Sequence, residues 1–227
     1  MRKISIALLA AVLGAAALLV VPSAPAGSAT SGCVAWASLP HRVALAGHVV
    51  YVRSTLHGTA ACRGVTADAG GSATLRGPSD FPLRWDHVGA TDTAPFSSLD
   101  ALGTYRIRTG DLQTYDASYV HIPYVWRATS TVVKYAGRFV RVARGGGRVS
   151  ATLQYYARYG WEPHARVVVR LQRHRDGAWH AVARHRSSGS GRVTFALRRG
   201  TYRLVSVTTA RVWSATELMP ARRSGRG

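Results

Sequence analysis

From residue 34 onward the chain alternates apolar and polar positions with a period of two, in short runs separated by Gly, Asp, Pro and Ser clusters. Val167, Val169 and Leu171 form one face of such a run, and Arg166, Arg170, Gln172 and His174 form the other. Val193, Phe195 and Leu197 stand in the same way against Arg192, Thr194 and Arg198, and Val149, Ala151 and Leu153 against Arg148, Ser150 and Thr152. The pattern predicts strands over 34–45, 49–56, 63–75, 81–88, 104–109 and 122–128. It predicts a second set over 138–143, 149–156, 165–174, 179–184, 192–198, 202–208 and 211–216. No segment after the N-terminal apolar run has a 3.6-residue period, so the expectation is all-β.

The strands fall into two similar halves. Gly103-Thr104-Tyr105-Arg106-Ile107 returns as Gly200-Thr201-Tyr202-Arg203-Leu204, and Val125-Trp126-Arg127-Ala128-Thr129 as Val212-Trp213-Ser214-Ala215-Thr216. Arg42-Val43-Ala44 is echoed by Arg141-Val142-Ala143. A repeat of roughly 100 residues matches one immunoglobulin-like sandwich, so two consecutive sandwiches are expected, over 30–130 and 131–219. Tyr105 and Tyr202 should start equivalent strands, each with its hydroxyl bonded to nearby backbone, and Trp126 and Trp213 are expected to be structural residues. The connection 129–136 has β-branched and aromatic residues in place of a Gly/Ser linker, which predicts limited hinge freedom.

Arg2 and Lys3, the apolar run 4–21 and the small residues at Ala24-Pro25-Ala26 and Gly27-Ser28-Ala29 read as a secretory signal peptide over 1–29. An uncleaved anchor is the alternative; Pro22, Pro25 and the small residues favour removal. No other stretch is apolar and long enough to span a bilayer as a helix. The basic, Gly-containing end 220–227 reads as a disordered tail. The two cysteines, Cys33 and Cys62, are expected to form one bridge in an oxidising compartment. The antibody arrangement does not apply, because Ile107 and Leu204, not Cys, stand two residues after the paired tyrosines.

Charge then separates the halves. The sequence has 30 Lys and Arg against 10 Asp and Glu. Residues 30–136 hold 9 basic and 7 acidic side chains, whereas 137–227 hold 19 and 3. Arg in place of Lys fits high-GC coding, but coding bias does not remove acidic residues from one half. The alternation puts Arg166, Arg170, Arg192 and Arg198 on solvent faces, and these are the candidate polyanion contacts, expected on strands that share a sheet. No recognition helix or base-stacking motif points to specific nucleic-acid binding, so teichoic acid, anionic lipid or acidic glycan are the expected polyanions.

Val169-Arg170-Leu171-Gln172-Arg173, Asp176-Gly177-Ala178-Trp179 and Gly191-Arg192-Val193-Thr194-Phe195 resemble the bacterial Ig-like β-sandwich repeats of secreted actinobacterial proteins. The resemblance covers about 130–219 and reaches the first half only through the internal repeat. It implies an accessory module that spaces, anchors or binds, and it transfers no catalytic residue.

Tyr105 to Trp126 spans ten more positions than Tyr202 to Trp213, which places a long loop at 110–121 carrying Tyr115 and Tyr119 as candidate partner contacts. The other reading packs these tyrosines on their own sheet. No nucleophile elbow, phosphate-cradling loop or His-Glu-x-x-His motif occurs. His174, His180 and His185 lie among arginines that repel a cation, so neither metal nor cofactor is implied. The expectation is a non-catalytic secreted tandem, retained at the cell surface by a polyanion or by a protein partner. Its alternative is a structural or partner-binding module whose arginines only confer solubility.

Overall fold

Pro40 divides the run 34–45 in two. It lacks the N–H that a ladder needs, and the chain changes sheet there: β1 (Cys33–Ser38) enters one sheet and β2 (Arg42–Leu45) another. The structure, a computed structural model, describes residues 32–62, 66–67, 73–77, 79–109, 114–115 and 123–221. The expected signal peptide, most of the loop 110–121 including Tyr119, and the tail from 222 lie outside the described residues.

The chain continues through β3 (Val49–Gly58), β4 (Thr66–Ala67), β5 (Ala73–Arg76), β6 (Phe81–Leu83), β7 (Thr91–Ser97), β8 (Gly103–Thr109), β9 (Thr114–Tyr115), β10 (Tyr124–Arg127) and β11 (Ser130–Tyr135). One sheet has the order β10-β1-β3-β7 and the facing one β2-β11-β8-β5-β6, while β4 and β9 form a separate small ladder. Between the two sheets lie Leu45, Leu56, Leu83, Trp85, Phe96, Tyr105 and Ile107. Strand β7 was not expected, because Pro95 and two polar Thr residues mask its inward Ala94 and Phe96. It is an edge strand, where a proline is tolerated.

The expected link 129–136 is instead mostly strand. β11 pairs parallel with β2, Val133 opposite Val43, and antiparallel with β8, Thr131 opposite Tyr105. Thr131, Val133 and Tyr135 alternate inward and are buried. The first sandwich therefore runs past the expected boundary at 130.

The second set of strands is β12 (Gly137–Gly145), β13 (Arg148–Ala157), β14 (Gly160–Pro163), β15 (Val168–Arg175), β16 (Ala178–Arg186), β17 (Arg192–Ala196), β18 (Tyr202–Ser206) and β19 (Thr216–Met219). β13 pairs with β12, β14 and β17 in one sheet; the other has the order β16-β15-β18-β19. Val149, Leu153, Val169, Leu171, Phe195 and Leu204 fill the space between them. The protein is thus all-β, with Ig-like sandwiches, and the described residues contain one 3-10 turn at Ala60–Cys62 as their only helical segment.

The expected strand 211–216 is not formed. That segment bridges back to the first sandwich at Tyr135 and Val212. Tyr135 donates its N–H to the Arg211 carbonyl, Trp213 donates to the Tyr135 carbonyl, and the Val212 side chain joins the first hydrophobic core. Ser98 Oγ donates to the Arg158 carbonyl at 2.6 Å on the other side of the junction.

Candidate anion-binding surface

The two copies of the Gly-Thr-Tyr motif share a backbone conformation at their glycine. Gly103 has φ +150° and Gly200 φ +147°, and a Cβ at Gly200 would stand 2.8 Å from Arg173 Nε. Two residues later Tyr105 and Tyr202 both point into their cores. Tyr105 donates its hydroxyl to the Ala101 carbonyl at 2.5 Å, and burial raises its pKa. Tyr202 lies beneath the Arg173 guanidinium, 5.8 Å from the ring centre.

The tryptophans differ. Trp126 sits on β10 opposite Ala35, half-buried, with a buried Nε1 that lacks a hydrogen-bond partner. Trp213 precedes β19 and lies between Arg42 and Lys134, whose charges stand 4.9 and 4.8 Å from its ring. Cys33 and Cys62 are bonded within the chain, tying the start of β1 to the turn after β3 with Cα atoms 4.8 Å apart. The backbone of Tyr115 pairs with Thr66 on the β4-β9 ladder.

The four expected arginines do not share a sheet. Arg170 stands on β15 and Arg192 on β17, strands of opposite sheets. Alternation fixes which face of its own strand a side chain takes, but not which sheet the strand joins. Arg166 precedes β15, exposed, with φ +58°. Arg198 follows β17.

Three arginine groups result. The first covers the outer face of β16-β15-β18. Arg170 is directly opposite Arg184 across the ladder, and both are exposed. Arg186 donates to the Arg166 carbonyl at 3.0 Å, and Arg203 donates through Nε to Gln172 at 2.6 Å while its guanidinium lies 4.5 Å from the Trp179 ring. These three strands contain no carboxylate. Like charges directly opposite on a ladder are destabilising, so the Arg170–Arg184 pair costs stability unless an anion lies over it. The second group, Arg173, Arg175 and Arg198, lines a 310 Å³ groove at the open edge between β16 and β17, floored by Leu171, Ala183 and Tyr202. Arg173 is anchored there by donating to the Arg199 carbonyl at 2.7 Å. The third, Arg141 and Arg192, flanks a 530 Å³ groove on the outer face of β13.

Arg184, Arg186 and Arg203 are not among the four arginines that the sequence alternation singles out. Only Arg203 lies on a strand that alternates in burial, whereas Arg184, His185 and Arg186 on β16 are all exposed. Among the described residues, no group of three or more His, Cys, Asp and Glu side chains could hold a metal ion. His174 instead packs on Trp179 and His185 on Phe195, with ring centres 5.0 and 4.7 Å apart. No described helix is long and apolar enough to cross a membrane.

No family model and no curated protein matches the sequence. Among solved structures, the chain is similar to native alpha-2-macroglobulin from Escherichia coli spanning domains MG0-NIE-MG1, at 13% identity and TM-score 0.33, covering 84% of this chain and 64% of that one. It is similar to the NIE-MG1 portion of that protein at 12% identity and TM-score 0.33, covering 83% and 97%. A tetra-tandem repeat in the extending region of a large adhesion protein aligns at 8% identity and TM-score 0.27, covering 84% of this chain and 50% of that one. The chain thus spans less than two thirds of the first of these. Likeness at this level accompanies the sandwich topology and assigns no activity.

Near the junction, His164 and Tyr155 pack at 5.0 Å between ring centres. Burial lowers the His164 pKa, and its Nδ1 is buried without a hydrogen-bond partner. Burial raises the Tyr155 pKa, assisted by the hydrogen bond its hydroxyl donates to Glu162 at 3.1 Å.

Proposed function

We propose that the protein is a secreted, non-catalytic Ig-like tandem held at the cell envelope by contact between its second sandwich and an anionic polymer. The observation that carries this reading is the Arg170–Arg184 pair, set with Arg186 and Arg203 on strands without a carboxylate and with Arg166 just ahead of β15. Guanidinium forks suit phosphate and carboxylate groups, and an open, flat sheet face suits a polymer better than a small ligand. The disulfide and the leader-like N-terminus support export, and the charge difference between the halves supports a contact through the second sandwich.

Electrostatic retention is undone by salt, whereas docking on a protein partner through an apolar surface is not. Cells expressing the chain should release it into high-salt wash buffer and keep it at low salt. Release that does not depend on salt contradicts the polyanion reading and favours the partner-binding or structural module.

A further inference from the structure

Strand β12 carries an irregularity that places a charge. Phe139 faces the core and Val140 faces out, so regular alternation would send Arg141 inward and Val142 outward. Instead the ladder shifts between Val140, opposite Thr152, and Ala143, opposite Ser150, which leaves Arg141 and Val142 facing Ala151 alone. Arg141 takes φ +50°, a left-handed conformation disfavoured for a residue with a Cβ, and is exposed, while Val142 packs on the second core. The bulge keeps the guanidinium out of the core and aims it over β13.

There it meets a groove of 530 Å³ whose floor is Ser150, Thr152 and Gln154, the outward residues of β13. They form a line about 13 Å long at about 3.3 Å per residue. Thr152 lies directly opposite Arg192 on β17, and Ser190 closes that rim. Gln154 is pre-oriented. Arg138 donates to its Oε1 through Nε and Nη2 at 3.1 and 3.0 Å while stacking 3.8 Å from the Trp161 ring, which leaves the amide NH₂ to donate elsewhere. Strands β12, β13 and β17 contain no carboxylate, and Glu162 of β14 is bonded to Tyr155, on the opposite face from Gln154.

A groove with two guanidiniums at its rims and two hydroxyls and an oriented amide between them offers charge for an acid group and neutral partners for ring hydroxyls. We propose that it is a discrete site for an acidic saccharide, with the acid group at Arg141 and Arg192 and the sugar hydroxyls at Ser150, Thr152 and Gln154. The proposal deepens the polyanion reading and rests on it for the sign of the ligand's charge, but it lies on the other sheet from Arg170 and Arg184.

The test is titration of the folded chain with trigalacturonate, maltotriose, a glycerol phosphate oligomer and triglutamate, read by amide chemical shifts and by calorimetry. Trigalacturonate should move the amides of Ser150, Thr152, Gln154 and Arg192 and bind at least tenfold more tightly than the other three. R141Q/R192Q should lose at least tenfold in affinity, and R170Q/R184Q should not. If R141Q/R192Q does not fold, Arg141→Gly, which accepts the positive φ, combined with R192Q carries the same expectation. Equal binding of all three anions, unchanged affinity in the groove variant, or shifts confined to β15 and β16 overturns the groove. In that last case salt-reversible binding at Arg170 and Arg184 leaves the envelope reading standing, whereas binding of no anion at all overturns both.

Discussion

Trp213 donates its indole Nε1–H to the carbonyl of Val43 at 2.8 Å, joining positions 170 residues apart. The bond ties the segment before the last strand of the second sandwich to β2 of the first. Lys134, beside the same ring, donates to the Thr209 carbonyl at 2.7 Å, and Val212 enters the first core. The two sandwiches are therefore joined by a strap that one of them supplies and the other buries.

Trp213→Phe should keep most of the packing but lose the bond, at a cost of about 1 kcal/mol. Trp213→Ala also removes the ring between Arg42 and Lys134 and should cost about 3 kcal/mol. Thermal unfolding followed by calorimetry is expected to show one transition for the parent chain and two for Trp213→Ala. A single unshifted transition in Trp213→Ala would mean that the strap carries no coupling.

Replacing Cys33 and Cys62 together by Ala opens a loop of 29 residues' separation. The chain-entropy argument gives a loss of roughly 3 to 4 kcal/mol. Urea denaturation of the parent and the double variant measures it, and a loss below about 1 kcal/mol would show that packing of the 3-10 turn at Ala60–Cys62 against Gly58 holds this end without the bridge.

His164 makes the junction sensitive to acid. Burial depresses its folded pKa, so as pH falls the unfolded chain takes up the proton first. The stability linked to this group is complete above the ordinary imidazole value of about 6.5 and is lost as pH drops toward the folded value. Tyr155, bonded to Glu162, packs on the imidazole, and Arg211 lines the adjoining 460 Å³ cavity. Denaturation midpoints between pH 7 and pH 5 should fall in the parent chain and fall less in His164→Gln. Equal pH dependence in the two would exclude His164 as the source.

The period-two alternation made the strands legible, and the Gly-Thr-Tyr repeat marked two equivalent glycine conformations, at Gly103 and Gly200. Neither signal reveals which sheet a strand joins, so the alternation does not separate Arg170 from Arg192, which stand on opposite sheets. Pro95 hid β7 because an edge position that excuses a proline is a tertiary property. The repeat Val-Trp-x-Ala-Thr suggested that Trp126 and Trp213 are equivalent, but in the second copy the segment forgoes its own sheet for the first sandwich. Arg141 was aligned with Arg42 by the repeat; the bulge that turns it outward follows from its charge at an inward position, a conflict readable only once the ladder register is known.

The Arg170–Arg184 pair gives the most direct test of the envelope reading. Like charges directly opposite should cost a few tenths of a kcal/mol up to about 1 kcal/mol, so Arg184→Gln is expected to stabilise the free protein by that amount. The same change should weaken polyanion binding. The measurement is the slope of log K against log salt on duplex DNA, used as a standard of known charge density, for the parent chain and R170Q/R184Q. Loss of two phosphate contacts should make the slope less steep by about 1.8, with affinity falling at low salt. An unchanged slope and affinity, with the parent chain no less stable than the variant, would contradict a binding role for this face and leave its arginines as solvated surface.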